Sequence, residues 1–330
     1  MKTRPVDIKP FRELGNPAFA IDTPRDHISL GSLVLCVAKK QSGKTFFLSN
    51  LLYQLKQAGC MDRVFCLSDT FDSNKKMLEN LEIRPEDILS PNDPDAVDKI
   101  VAEIDKERDD LLEYREKMKR WKAFNRKLDI NNLDDLLEFY DPVTRQFEPP
   151  KHRYNGRKPV VGLLCDDIQS TPLIGSKKFK NLCIKCRHVG SFENGEPPIG
   201  VSIFIAVQNY VASGNEGIPK SIRGNINCCA IWKSGNMKEI DLLTTELSGV
   251  LPKEEILEAY NYVMNKDPNN RHIQLSLRRF NSQAAPSQSL QDELYGVDHS
   301  GMMFRPHAPI HTRILKTTAV RTEYPKAELS

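Results

Sequence analysis

The chain has 330 residues, with 47 Lys or Arg against 44 Asp or Glu and a formal net charge of +3. Hydrophobic residues make up 39% and charged residues 28%, which fits a globular protein with ample core and excludes a disordered or fibrous chain. So small a net charge excludes a global field for nucleic acid, so any basic contact surface must be local. No run approaches the roughly 18 apolar residues of a membrane-spanning helix.

Residues 1–30, rich in Pro and charge, read as an irregular arm without an apolar signal-peptide core. Export by that route is not expected, and the eight cysteines are expected to stay reduced inside a cell. An apolar β-type run, Leu33 to Val37, then stops at a loop of small and polar residues and opens into a helix near Lys44. This is the layout of a phosphate-binding loop, in which backbone N–H groups cradle phosphate oxygens at the positive end of a helix. Ala38, Lys39, Lys40, Gln41, Ser42 and Gly43 form the cradle, Lys44 reaches the β- and γ-phosphates, and the Thr45 hydroxyl ligates Mg²⁺. Ala38 stands where the G-x-x-x-x-G-K-[ST] pattern has its first Gly, and Ala tolerates that turn start if its φ is negative.

Helix 44–58 carries Phe47, Leu48, Leu51, Leu52 and Leu55 at helical spacing, with Gly59 as its stop. Arg63 to Leu67 reads as a second buried strand, making a βαβ unit and hence a parallel sheet covered by helices. Ser68, Asp69 and Thr70 then fall at the carboxyl edge of that sheet, where ligands bind in such folds. From Asp95 to Leu128 a heptad pattern (Val97, Ile100, Ile104, Leu111, Tyr114, Met118, Trp121, Leu128), broken by Glu107 and Asn125, predicts a helix. Its length is on the order of 50 Å at about 1.5 Å per residue. Leu133, Leu136, Leu137 and Tyr140 offer a second apolar helix face. The two together read as an antiparallel hairpin inserted at 95–140 and packed on itself, or as a docking arm for another subunit.

A basic, Pro-containing linker over 143–158 precedes a third strand, Pro159 to Cys165, that ends in Asp166-Asp167. After a phosphate loop, an acidic pair at a strand end suits a Mg²⁺-nucleotide hydrolase: Asp166 is assigned to the metal and Asp167 to the base, the roles being exchangeable on sequence alone. A fourth strand over 200–207 ends in Gln208, placed to sense the γ-phosphate and orient water. Between them, Ser176 to His188 holds five Lys or Arg and no acid. Lys177, Lys178, Lys180 and Lys185 are candidates for contact with a phosphate backbone, against the alternative of a solvated surface loop. Arg187 and Arg223 are candidates for a finger that completes a neighbour's site. Cys183-x-x-Cys186 with His188 has a metal-like spacing but lacks a matching second pair, so no zinc site is expected. Cys228 to Trp232 gives a fifth strand, 238–264 a helical region and His272 to Leu277 a last strand. Residues 281–330 read as a loosely held extension. The domain plan is thus an arm (1–30), an ATPase domain (31–280) and an extension (281–330).

The order of motifs resembles a known group. AKKQSGKT, LLCDD, CRHVG before a strand ending VQN, and then IPKSIRGNIN are similar to the genome-packaging ATPases of large eukaryotic DNA viruses. That group includes the poxvirus type, virophages and polinton-like elements, within the FtsK–HerA superfamily of P-loop motors. The resemblance covers about residues 30–235. It implies a RecA-like α/β core with a mostly parallel sheet, a homo-oligomeric ring, ATP and Mg²⁺ as cofactors, and translocation of double-stranded DNA into a preformed capsid. A capsid or vertex protein would then be a partner, and the host cytoplasm or viral factory the location. Lys44, Thr45, Asp166, Asp167, Gln208 and, less directly, Arg187 and Arg223 match the group's site residues. Ala38 and the helical insertion depart from its pattern. Two other readings share the core: a nucleotide-gated DNA-binding assembly protein with little turnover, and a cellular DNA translocase.

Overall fold

The computed structural model describes residues 28, 30–40, 42–70, 79–126, 133–211, 217–248, 252–266 and 272–276. Nine strands occur among them: β1 (Leu33–Val37), β2 (Arg63–Leu67), β3 (Ile88–Leu89), β4 (Tyr140–Asp141), β5 (Gln146–Phe147), β6 (Val161–Asp166), β7 (Ser202–Val207), β8 (Cys228–Trp232) and β9 (His272–Ser276). Seven form one sheet in the order β3-β2-β6-β7-β1-β8-β9, parallel throughout except for β9, which runs antiparallel to β8. β1, β2, β6, β7 and β8 are buried at every position, which explains why they read as continuous apolar runs rather than alternating ones.

Alternate residues of β1, β2, β6, β7 and β8 feed two separate cores. Val34 and Cys36 of β1, with Phe204 of β7, pack under α1 (Lys44–Gln57) through Phe47, Leu48, Leu51, Leu52 and Leu55. Leu33, Leu35 and Val37 point to the other face. That face is covered by α2 (Ala96–Arg126), α5 (Lys177–Lys185), α7 (Met237–Leu247) and α8 (Lys253–Lys266). Three shorter helices complete the set: α3 (Leu133–Phe139), α4 (Pro172–Gly175) and α6 (Lys220–Arg223). On the α1 side, a Cβ on Gly162 of β6 would lie 2.8 Å from the Met61 sulfur, so the glycine lets the Met61 side chain close on this strand. The expected stop at Gly59 is a Schellman motif: Cys60 N–H donates to Leu55 C=O and Gly59 N–H to Lys56 C=O, with Gly59 at φ 67°. Together these features make an α/β P-loop core with a mostly parallel sheet, as the sequence predicts.

The insertion differs from the self-packed hairpin expected of it. Only its distal end packs on itself, where Trp121 and Phe124 of α2 meet Phe139 and Phe147 at ring separations of 5.2–5.8 Å. The first half of α2 instead contributes Ala96, Val97, Ile100, Ile104 and Leu111 to the sheet's own core. The heptad seam is satisfied by a sheet face, which a periodicity cannot distinguish from a partner helix. Leu128 lies outside the described residues, as do the N-terminal arm over 1–27 and the C-terminal extension.

Glu107, which breaks the heptad, is buried and accepts from Arg63 Nη1 at 3.0 Å and Arg153 Nη1 at 2.8 Å. Arg63, at the start of β2, also grips both oxygens of buried Asp87 and reaches Glu103 at 2.9 Å. Burial alone would lower the Arg63 pKa, but the bonds from Asp87 and Glu103 more than offset it and hold the guanidinium charged. Nearby, His152 Nδ1 accepts from the N–H groups of Tyr154 (3.2 Å) and Gly156 (3.1 Å), closing the turn that the sequence reads as linker.

Two measurements test this packing. Arg63→Met should lose about 3–5 kcal/mol in urea unfolding, because it strands buried carboxylates, whereas Glu103→Gln at the half-exposed rim should stay within about 1 kcal/mol. Burial lowers the His152 pKa, and protonation would remove the acceptor for both N–H groups. The folded-state pKa is below the unfolded value of about 6.5, so the contribution is intact above it and falls as pH drops through the folded value. Replacing His152 by Asn should therefore reduce the loss of Tm between about pH 8 and about pH 5, a range spanning that unfolded value; an identical slope in both proteins would contradict it.

Candidate functional site

Parallel registry brings three strand ends to one edge. Val37 of β1 pairs with Val207 of β7, and Asp166 of β6 pairs with Ala206. The residues that follow, Ala38, Gln208 and Asp167, therefore leave the sheet side by side. β7 lies between β1 and β6, so the Gln208 strand end stands between the loop and the acidic pair.

Ala38 is buried and its N–H donates to Val207 C=O at 3.0 Å, so the loop begins as a continuation of the ladder. No positive φ occurs at Ala38, so the missing Gly costs nothing there. The positive φ falls on Gly43, at 89°, which caps α1 in the left-handed conformation. Lys39 and Lys40 are exposed, and Gln41 lies outside the described residues. Lys44 is buried at the helix start, with an exposure of 8%. The Ser42 hydroxyl is buried and has no hydrogen-bond partner among the described residues, an orphaned polar atom inside the loop.

Thr45 and Asp166 meet directly. The Thr45 hydroxyl lies 2.9 Å and 3.1 Å from the two carboxylate oxygens, and donates to them. Burial pushes the Asp166 pKa up, the neighbouring Asp167 charge adds to this, and the Thr45 bond and the Lys44 charge oppose it. A carboxylate disfavoured by burial and placed beside a hydroxyl is a hard-oxygen site in need of positive charge, so these residues fit a magnesium ion carried in with a nucleotide. Asp167 sits at φ 54°, and its carboxylate accepts from Gln208 Nε2 at 3.1 Å. The two residues assigned to hydrolysis from sequence are thus in contact, beside the pair assigned to the metal. Asp69, on the neighbouring strand end, is taken up by the side chains of Ser90 and Asn92.

The remaining candidates lie elsewhere. Arg187 donates through Nε to Gly31 C=O at 3.2 Å, just before β1 and hence at the opposite edge of the sheet from the loop. Arg223 makes a two-pronged pair with Glu246 at 2.9 Å and 3.0 Å, donates to Ile218 C=O, and stacks over Tyr210. It is engaged within its own chain. The basic run is not a loop: most of it is α5, capped by the Ser176 hydroxyl, which accepts from Phe179 N–H, and burying Phe179, Leu182 and Cys183. Lys178 is neutralised by Asp95 and Asp98 at the start of α2, and Lys180 donates to Gly175 C=O. Lys177 and Lys185 are exposed and have no ion-pair partner among the described residues. Cys183 and Cys186 are buried free thiols, His188 is exposed, and no metal-holding cluster of His, Cys, Asp and Glu occurs among the described residues. Among those residues, no helix is long and apolar enough to cross a membrane.

One site residue escaped the sequence reading. Gln169 engages the backbone of Gln208 and Asn209 through its carboxamide. A polar residue two positions past Asp167 carries no signal of that partnership, which depends on how the turn after β6 bends.

No family model matches the chain, and no curated protein sequence matches it. Among solved structures, the chain is similar to the genome packaging NTPase B204 from Sulfolobus turreted icosahedral virus 2. In complex with AMP, the identity is 9% and the TM-score 0.39, covering 74% of this chain and 92% of that one. The AMPPCP complex gives 10%, 0.38, 74% and 92%, and the ATP-gammaS complex 10%, 0.37, 77% and 94%.

Proposed function

We propose that this chain is an ATP-hydrolysing motor that moves double-stranded DNA, packaging a genome into a preformed capsid. The observation that carries the hydrolytic part is the adjacency of two contacts at one sheet edge: Thr45 with Asp166, and Gln208 with Asp167. The first supplies oxygen donors for magnesium, and the second supplies a base and a polar group to orient water. The motif order from the phosphate loop to Asn225 supports the packaging role.

In this reading the backbone of residues 38–43 and the start of α1 hold the phosphates, and the Ser42 hydroxyl finds there the partner it lacks. Lys44 neutralises the β- and γ-phosphates. Thr45 and Asp166 would hold magnesium, whose charge would stabilise the negative charge that builds on the transferred phosphoryl group. Asp167 takes the proton of the attacking water through the carboxylate oxygen that Gln208 Nε2 does not hold, and the Gln208 carboxamide orients that water. Arg187, at the far edge of the sheet, is available to a neighbouring subunit in a ring, whereas Arg223 must first leave Glu246 to act in that way.

DNA contact falls to the exposed face of α5, with Lys177 and Lys185 as the uncommitted cations. Contacts of this kind go to phosphates and carry no base information, as suits a motor that passes any sequence. A nucleotide-gated assembly protein is the second reading, favoured by one observation: Gln208 Nε2 already holds one oxygen of the Asp167 carboxylate.

Phosphate release by the full chain, with and without mixed-sequence duplex, separates the two. The motor predicts release that duplex DNA stimulates; release too slow to distinguish from buffer would favour the gated protein. In the same protein, Lys177→Ala with Lys185→Ala should lower the slope of log binding constant against log salt by about 2, since each phosphate that a lysine neutralises contributes about 0.9. An unchanged slope would remove α5 as the DNA track.

A further inference from the structure

The turn leaving β6 holds two non-glycine residues in the left-handed region, Asp167 at φ 54° and Ser170 at φ 64°. L side chains disfavour this region, so surrounding contacts must hold the turn in place. One contact is local: the Thr171 hydroxyl donates to Ile168 C=O at 2.6 Å. The other crosses to β7. The β6–β7 ladder ends with Asp166 opposite Ala206. Beyond it, Gln169 continues the pairing with its side chain. Its Oε1 accepts from the backbone N–H groups of Gln208 and, at 3.3 Å, Asn209, and its Nε2 donates to Asn209 C=O at 2.9 Å. The amide orientation is chemically determined, because a flipped amide would set its NH₂ against two N–H donors.

We propose that Gln169 is a positioning residue for the hydrolytic step, fixing the Gln208 backbone so that the Gln208 carboxamide meets the Asp167 carboxylate. The three side chains close a circuit. Asp167 and Gln169 share one turn, Gln169 grips the main chain of Gln208, and Gln208 Nε2 returns to Asp167 Oδ1 at 3.1 Å. Without Gln169, the Gln208–Asp167 bond remains to tie the two strand ends together beyond the ladder among the described residues. A shift of about 1 Å in a reacting group can cost about a hundredfold in rate, so the clamp acts on turnover rather than on nucleotide affinity. The phosphate loop leaves β1, whereas the clamp ties the turn after β6 to the end of β7. The inference rests on the hydrolytic reading of this edge.

Its test is a double-mutant cycle in the full chain, reading phosphate release and, separately, binding of a fluorescent ATP analogue. Gln169→Ala should lower kcat by about tenfold or more while the analogue's Kd stays within about twofold. In a Gln208→Ala background the same change should add little, because the residue it positions is gone. Gln169→Glu, which keeps an acceptor for both N–H groups, should fall between Ala and wild type and serves if the Ala variant folds poorly. Wild-type kcat in Gln169→Ala, equal losses with and without Gln208, or a Kd that weakens in step with kcat would each overturn the inference. Lys44→Ala separates the two levels. If it abolishes release while Gln169→Ala does not impair it, only the role of Gln169 fails; if Lys44→Ala releases phosphate normally, the hydrolytic reading fails with it.

Discussion

The Thr45 hydroxyl, bonded to both oxygens of Asp166, joins two strands that are not neighbours. β1 carries the loop and α1, β6 carries the acid, and β7 separates them. The contact exists because parallel registry brings all three strands to the same edge and because Gly43, at φ 89°, turns the chain into α1 within one residue. Everything assigned to nucleotide chemistry is a consequence of that alignment. Lys44 is buried at the helix start, Asp167 follows Asp166 out of the sheet, and Gln208 emerges between them.

The same edge is where the fold departs from comfortable chemistry. Burial pushes the Asp166 pKa up, the Ser42 hydroxyl is buried without a partner among the described residues, and Asp167 and Ser170 occupy left-handed backbone. At this edge, a bound ligand can supply what the chain lacks. Away from the edge Ser49 Oγ and Glu255 Oε2 are also buried without a hydrogen-bond partner among the described residues, but the buried ion pairs are closed. Arg63 answers Asp87, Glu103 and Glu107, and Arg157 answers Asp62, so α2 and the turn near 154 are fastened to the opposite end of β2.

How much of this was legible in the sequence depended on range. β1, β2, β6, β7 and β8 were readable because strands buried on both faces leave unbroken apolar runs, and α1 was readable because its stripe is local. The gathering of Lys44, Thr45, Asp166, Asp167 and Gln208 at one sheet edge was readable because each lies at or just past the carboxyl end of an apolar run in a parallel sheet. Partners were not readable. The heptad of α2 fits a sheet face as well as a helix, and Glu107 looks like a break until Arg63 is placed beside it. The basic run looks uniformly free until Asp95 and Asp98 take Lys178, and Arg223 looks available until Glu246 takes it. Two-residue strands such as β3, β4 and β5 are too short for any periodicity to register.

The central claim is that this edge breaks a phosphoanhydride bond rather than only holding a nucleotide. Single-turnover phosphate release by wild type and Asp167→Asn, each saturated with ATP and Mg²⁺, tests it most directly. The account predicts that the Asn variant binds nucleotide as wild type does and loses about a hundredfold or more in release rate, the scale of a positioned base. Release at the wild-type rate by the Asn variant would contradict it.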